Sequence, residues 1–160
     1  MHFCALADTP AELIQELEEV KGALVRQLSP VYGPYVFFEH GARGPNSGGC
    51  GISHAHLHAL PLSVDEVLPK LKSQFPHLPI GSLSELKPAT SGASYLYCED
   101  PSSQGWLFFP RVLPSQYMRR LIAESAGISL WDWRQSGRED GLLATRVEVL
   151  SALSGIHDGR

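Results

Sequence analysis

Three of the chain's seven histidines stand within five residues of one another. They are His54, His56 and His58, in the stretch "GGCGISHAHLHALPL" (residues 48–62), and each is separated from the next by one apolar residue. In an extended strand, side chains alternate between the two faces. The three imidazoles then share one face, about 6.6 Å apart from neighbour to neighbour. Ala55, Leu57 and Ala59 point the other way, toward a core. One reading is structural: satisfied histidines on a half-exposed strand. A second is a metal site, since histidines at i and i+2 of a strand can chelate one ion, and catalytic zinc takes three protein ligands. Here the nearest following acid is Asp65, beyond Pro61, and a cupin-like pattern would need a glutamate where Ala59 and Leu60 stand. A third reading is nucleophilic catalysis at phosphorus. A neutral imidazole nitrogen attacks well near pH 7, provided its other nitrogen is held and donors meet the phosphate oxygens and the leaving group. The glycine-rich approach "NSGGCG" suits this reading, because small residues let backbone N–H groups come close to a phosphate.

The elements that position this row can be read from pattern. "DTPAELIQELEEVKGALVRQL" predicts a helix, with Thr9 as cap, Pro10 at the first helical position and Glu12 completing a capping box. Leu13, Leu17, Val20 and Leu24 recur at helical spacing and predict its buried face. "SPVYGP" ends it. "YVFFEHG" reads as a buried strand closed by Gly41, and "CGISHAHLHALPL" as a second strand stopped near Pro61. Ser63 to Phe75 reads as a helix with a Ser63–Glu66 capping box, bent or broken at Pro69. "PHLPIGSLSELKPATSG" is irregular. "ASYLYCED" and "GWLFFPRVL" form a hairpin around "PSSQ". "PSQYMRRLIAESAG" is an amphipathic helix with Gly127 just past its end, and "GREDGLLATRVEVLSALSG" a last helix.

Glu39 and His40 end the strand beside the histidines, and one of them faces the same cleft. Gln116, Arg119 and Arg120 open a helix, where a helix start and a guanidinium can hold a phosphate. Trp106, Trp131 and Trp133 read as core, and Cys4 and Cys98 as inert packing residues.

The totals set limits. The chain has 160 residues, 43% hydrophobic and 19% charged, with a formal net charge of −4. That gives no basic footprint for duplex nucleic acid, while a small nucleotide needs only a few local donors. No apolar run approaches the ~20 residues of a membrane span, and the N-terminus lacks the pattern of a secretory signal. The three cysteines, Cys4, Cys50 and Cys98, form no C-x-x-C pair. A reducing cytoplasm is the expected setting.

"HAHLHAL" resembles the signature of the histidine triad family: histidine, apolar, histidine, apolar, histidine, apolar, apolar. "FFEHG" and "GGCGIS" are similar to the strand and loop that lead into it in bacterial members and, more distantly, in hexose-1-phosphate uridylyltransferases. The likeness covers residues 35 to 62. The preceding helix fits the family's first helix. "LPSQYMRR" and "WDWR" look like an extension in bacterial members described as diadenosine-polyphosphate-hydrolase-like. The resemblance implies that His56 is the nucleophile that takes up a nucleoside monophosphate, that His54 orients it by hydrogen bonding, and that His58 lies near the phosphate and leaving group. Transferase members carry glutamine at that third place, so His58 points to hydrolysis. Cys50 and Gly51 stand where the family places small or polar residues near the phosphate; a hydroxyl common at the Gly51 place is missing here. Family members begin with two strands and a "P-x-x-H" stretch before the first helix, whereas this chain begins "MHFCALADTP".

The expectation is therefore an α+β fold, a histidine-triad-like antiparallel sheet with helices packed on one side. Residues 1–90 would form that domain, short at its N-terminus, and residues 91–160 a hairpin-and-helix extension packed on it. The expected function is hydrolysis of a dinucleoside polyphosphate or nucleoside phosphoramidate, with His54, His56 and His58 catalytic and Cys50, Gly51, His40 and Gln116 binding substrate. No resident metal or cofactor is expected, though magnesium can accompany a polyphosphate. A non-catalytic nucleotide-binding or interaction protein and a metal-dependent hydrolase or cupin-like binder are the alternatives. The missing strands should leave a sheet edge unpaired, a hazard that a homodimer would cure by using one patch twice.

Overall fold

A computed structural model describes residues 3–42, 54–62, 67–112, 114, 116–129, 132, 145–147 and 149–150. Cys50, Gly51, the Ser63–Glu66 capping box, Trp131, Trp133 and most of the last expected helix lie outside the described residues.

The first helix, α1, spans Ala11–Tyr32. Its run of Leu, Glu, Gln, Ala and Lys is rich in good helix formers. Pro10 takes the N-cap place with no side-chain cap, and its carbonyl accepts the Ile14 N–H. The Thr9 hydroxyl is buried without a partner among the described residues, so the expected capping box with Glu12 does not form. The helix runs on through Pro30, which lies in its last turn, and stops at Gly33. Gly33 has φ of +86°, and its N–H closes on the Ser29 carbonyl; a residue without Cβ takes this left-handed conformation at little cost.

The buried stripe of α1 is rotated from the expected one. Ile14 and Leu28 are buried, and Leu17, Leu24 and Val25 pack beside the core. Leu13 and Val20 are 43% and 62% exposed. Lys21 sits on the inward stripe, where its ammonium reaches Glu18 at 2.6 Å and Glu99 at 2.7 Å. A charged residue on the core-facing stripe masked the true period.

Five strands form one antiparallel sheet: β1 (Tyr35–Gly41), β2 (His58–Pro61), β3 (His77–Ile80), β4 (Tyr95–Glu99) and β5 (Gly105–Phe108), in the order β2-β1-β4-β5-β3. The α+β class is as expected. Between the strands lie α2 (Val67–Gln74), which continues through Pro69, α3 (Leu86–Thr90) and, after β5, α4 (Tyr117–Ser125). The stretch expected to be irregular supplies β3, a 3-10 turn at Leu83–Glu85 and α3.

Two expectations are corrected. The hairpin β4–β5 is not an appendage. β4 pairs β1 from Phe37↔Glu99 to Gly41↔Tyr95, so the sheet crosses residue 90 without a break. β1 therefore has a neighbour on each side, β2 and β4, and the sheet ends at β2 and β3. Helices also cover both faces rather than one. Val36, Phe38, Leu96, Cys98 and Phe108 pack against Leu71 of α2 and Met118 and Leu121 of α4. On the other face, Tyr95, Tyr97 and Leu107 pack with Ile14, Leu83, Leu86 and the N-terminal Ala5, Leu6 and Ala7. Every residue of β1 and β4 is buried, which is why both read as unbroken apolar runs and not as an alternation.

Trp106 packs half-buried at the margin of the first of these clusters, with the Lys72 ammonium 3.3 Å from its ring centroid. Cys98 is buried, and burial pushes its thiol up to about 12, consistent with an inert packing role. Cys4 is exposed, contrary to expectation. Among the described residues no helix is long and apolar enough to cross a membrane.

Candidate active site

The regular strand holds only the last of the three histidines. β2 begins at His58, and residues 54–57 approach it without ladder pairing. The alternation of faces persists. Ala55 and Leu57 pack against the apolar cluster that includes Leu6 and Tyr95, and Leu57 and Ala59 against the cluster of Leu28, Tyr35 and Phe37. The imidazoles form a row on the opposite side. The His54 and His56 ring centroids are 5.6 Å apart, and those of His56 and His58 are 4.7 Å apart, both pairs edge to face.

β1 supplies the floor. Its register sets Phe38 opposite His58, and the two rings stack at 4.3 Å with 14° between their planes. His40, two residues further along β1, lies on the same face, with its ring 5.9 Å from that of Phe38. Of the two strand-end candidates, His40 thus belongs with the triad. Glu39 faces the other side, where it accepts hydrogen bonds from the Leu6 N–H and the Tyr95 hydroxyl.

α4 closes over His40. The Met118 N–H, in the helix's first turn, donates to His40 Nε2 at 3.4 Å. In the neutral ring His40 then carries its proton on Nδ1. Gln116 precedes the helix with φ of +60°. It is 6% exposed, and its Oε1 is buried with no partner among the described residues. Arg119 lies close enough that its charge acts on both His40 and His58. Arg120 turns outward and pairs with Glu124 at 3.5 Å on the exposed side.

His40 and His58 are both held neutral at pH 7, each with its pKa lowered to about 4. For His40 burial is the largest cause, followed by the charges of His58, His56 and Arg119. For His58 burial again leads, followed by His56 and Arg119. Packing several imidazoles and a guanidinium together penalises each added positive charge.

His56 is differently placed. Its Nδ1 lies 2.8 Å from the carbonyl oxygen of His54. A carbonyl only accepts, so Nδ1 must be the protonated nitrogen. In the neutral ring the lone pair is then on Nε2, which is buried and has no hydrogen-bond partner among the described residues. A fixed tautomer with an unengaged lone pair is what attack on an electrophile requires.

No protein-family model matches the chain, and no curated protein does so either.

The site therefore brings together His54, His56, His58 and His40, with α4 and Arg119 against them; Cys50 and Gly51 lie outside the described residues. Among the described residues no group of three or more histidine, cysteine, aspartate or glutamate side chains is arranged to hold a metal ion. A cleft of about 330 Å³ lies elsewhere, lined by Val25, Ser29, Phe37, Glu99 and Pro101 among others. None of the four histidines lines it, so its volume does not bear on their chemistry. Phe38 and Met118 were not legible as site residues. The signal for Phe38 was available in principle: it is two residues from His40 in a strand, hence on the same face.

Proposed function

We propose that the chain is a nucleotide hydrolase that cleaves a nucleoside phosphate derivative, a dinucleoside polyphosphate or a nucleoside phosphoramidate, through a nucleotidyl-histidine at His56. The supporting observation is the pairing of His56 Nδ1 with the His54 carbonyl, which leaves Nε2 as the lone-pair nitrogen. In the first step Nε2 attacks the α-phosphorus. The P–N bond forms, the bond to the leaving group breaks, and the leaving group takes up a proton from solvent. In the second step water attacks the same phosphorus and releases a proton to solvent, the P–N bond breaks with its electron pair returning to Nε2, and the nucleoside monophosphate departs. His58, kept neutral and stacked on Phe38, offers one donor and one acceptor beside the reacting phosphate. Arg119 adds positive potential for an anionic substrate.

Trapping tests the reading. Protein mixed with a dinucleoside polyphosphate labelled on its α-phosphate and quenched in acid-free conditions should carry label on His56. Label on another residue, or none during active turnover, overturns the assignment.

The same reading carries two further expectations. Turnover should proceed with protein stripped of transition metals, checked by elemental analysis; zinc or iron in stoichiometric amount, with activity lost on chelation and restored by that ion, would transfer the row to metal chemistry. Loss with magnesium alone would not, since magnesium binds the polyphosphate itself. The homodimer is proposed on the exposed Leu13, Val20 and Val31 of α1. Leu13 and Val20 lie seven residues apart and Val31 eleven further on, on one side of the helix. Light scattering at micromolar concentration should give twice the chain mass, and Val20→Glu should halve it; a monomer at that concentration removes the dimer from the proposal.

A further inference from the structure

The peptide group between His54 and Ala55 does two things at once. Its carbonyl accepts the His56 Nδ1–H at 2.8 Å. Its N–H, the amide of Ala55, donates to the Phe3 carbonyl at 2.7 Å. Because the peptide unit is planar and stiff, whatever fixes the N–H also fixes the direction of the carbonyl. Residues 54–57 lie outside the sheet ladder, so the N-terminal segment is what holds this plane on that side.

That segment is held in turn by two side chains on the far face of the sheet. The Leu6 N–H donates to Glu39 Oε1 at 2.7 Å, and the Ala7 N–H to the Tyr95 hydroxyl at 3.1 Å. The Tyr95 hydroxyl donates to Glu39 Oε2 at 2.5 Å. Glu39 is 0% and Tyr95 1% exposed. Gly41 makes room for the clamp: a Cβ there would stand 2.2 Å from the Tyr95 ring. A buried carboxylate is costly unless hydrogen-bonded, so the Leu6 N–H and the Tyr95 hydroxyl that donate to Glu39, with the Ala7 N–H on that hydroxyl, fix the segment firmly.

We propose that Glu39 and Tyr95 are positioning residues for the candidate nucleophile: by clamping residues 3–8 they hold the Phe3 carbonyl on the Ala55 amide, and so aim the His54 carbonyl that selects the His56 tautomer. This rests on the reading of His56 as nucleophile, but its physical core, amide to peptide plane to imidazole, is measurable without any substrate.

The wild-type chain gives the first test. The Ala55 amide should exchange with solvent as slowly as those of Leu6 and Ala7, and the ¹⁵N shifts of His56 should report one neutral tautomer, protonated at Nδ1. Tyr95→Phe keeps the ring against Gly41 and removes the hydroxyl; Glu39→Gln keeps an acceptor for Leu6. In Tyr95→Phe, exchange at Ala55 should quicken about tenfold, the effect of one lost net hydrogen bond, and His56 should show a mixture of tautomers. Glu39→Gln should show the smaller change in both. With a turned-over nucleotide, kcat should fall while KM holds. Fast exchange at Ala55 in the wild type overturns the proposal. So does a folded Tyr95→Phe protein with Ala55 exchange and His56 tautomer unchanged. A chain that passes the exchange and tautomer tests but turns over no nucleotide keeps the positioning and fails the hydrolase reading, so the two failures are distinct.

Discussion

With His56 replaced by alanine, nucleotide turnover should fall by at least about a thousandfold, as removal of a covalent nucleophile does elsewhere. The fold should survive. Among the described residues the ring contacts of His56 are with its two neighbours in the row, and its Nε2 has no hydrogen-bond partner to lose. The informative comparison is His54→Ala. The group that orients His56 is the backbone carbonyl of His54, not its imidazole. Alanine at 54 keeps that carbonyl, so His54→Ala should cost far less than His56→Ala, about tenfold or under, the range of a single hydrogen bond. In the proposed mechanism the orienting group is thus the main chain of residue 54. Turnover of a panel of dinucleoside polyphosphates and phosphoramidates by the two variants decides. Equal losses would return the orienting role to the His54 side chain, and full activity in His56→Ala would remove the covalent mechanism.

The strands that carry the site were legible because burial on both faces leaves a plain mark. "YVFFEHG" and "ASYLYCED" are apolar without interruption where they enter the sheet, and they became β1 and β4 close to the expected limits. The sharing of one side by three imidazoles was also legible from period two, although only His58 lies in a ladder. The neighbours β1–β2 and β4–β5 were legible, but the long-range pairing of β4 with β1 was not. Nothing local in "ASYLYCED" says that its partner is β1, sixty residues earlier, so the hairpin looked like an extension. Register decides which rings meet, and the contact of Phe38 with His58 follows from it alone. The buried face of α1 was misread by one position because Lys21 occupies it, paired with Glu99, where hydrophobic periodicity looks for an apolar residue. Capping failed for a related reason: Thr9 has the right type and spacing, but the chain enters α1 through Pro10 and leaves the hydroxyl without a partner among the described residues.

Acid should destabilise the fold between pH 6.5 and pH 4, and His40 should account for a measurable share. Its folded pKa is about 4, against 6.5 for the ordinary side chain. The folded value is the lower one, so the unfolded chain binds the proton more readily. The contribution is therefore fully present above pH 6.5 and is lost as pH falls through 4. For a group 4% exposed, the loss from pH 7 to pH 4.5 is about 2 kcal/mol. His58 shifts in the same direction and adds to the effect, but its half-buried ring is screened by solvent. The groups that oppose protonation of His40 are burial first, then His58 and His56 from the triad segment and Arg119 from α4. Protonation would also cost the Met118 N–H its acceptor, since a charged imidazole has no lone pair to offer. His40→Gln is the control: its side-chain oxygen accepts an N–H at any of these pH values and does not titrate. Urea unfolding at pH 7 and pH 4.5 should show a smaller drop in His40→Gln than in the wild type, by about those 2 kcal/mol. Other groups that titrate in the same range cancel in that difference. Equal drops in the two proteins would mean that His40 is not held neutral by its surroundings, and would withdraw α4 from the account of the site.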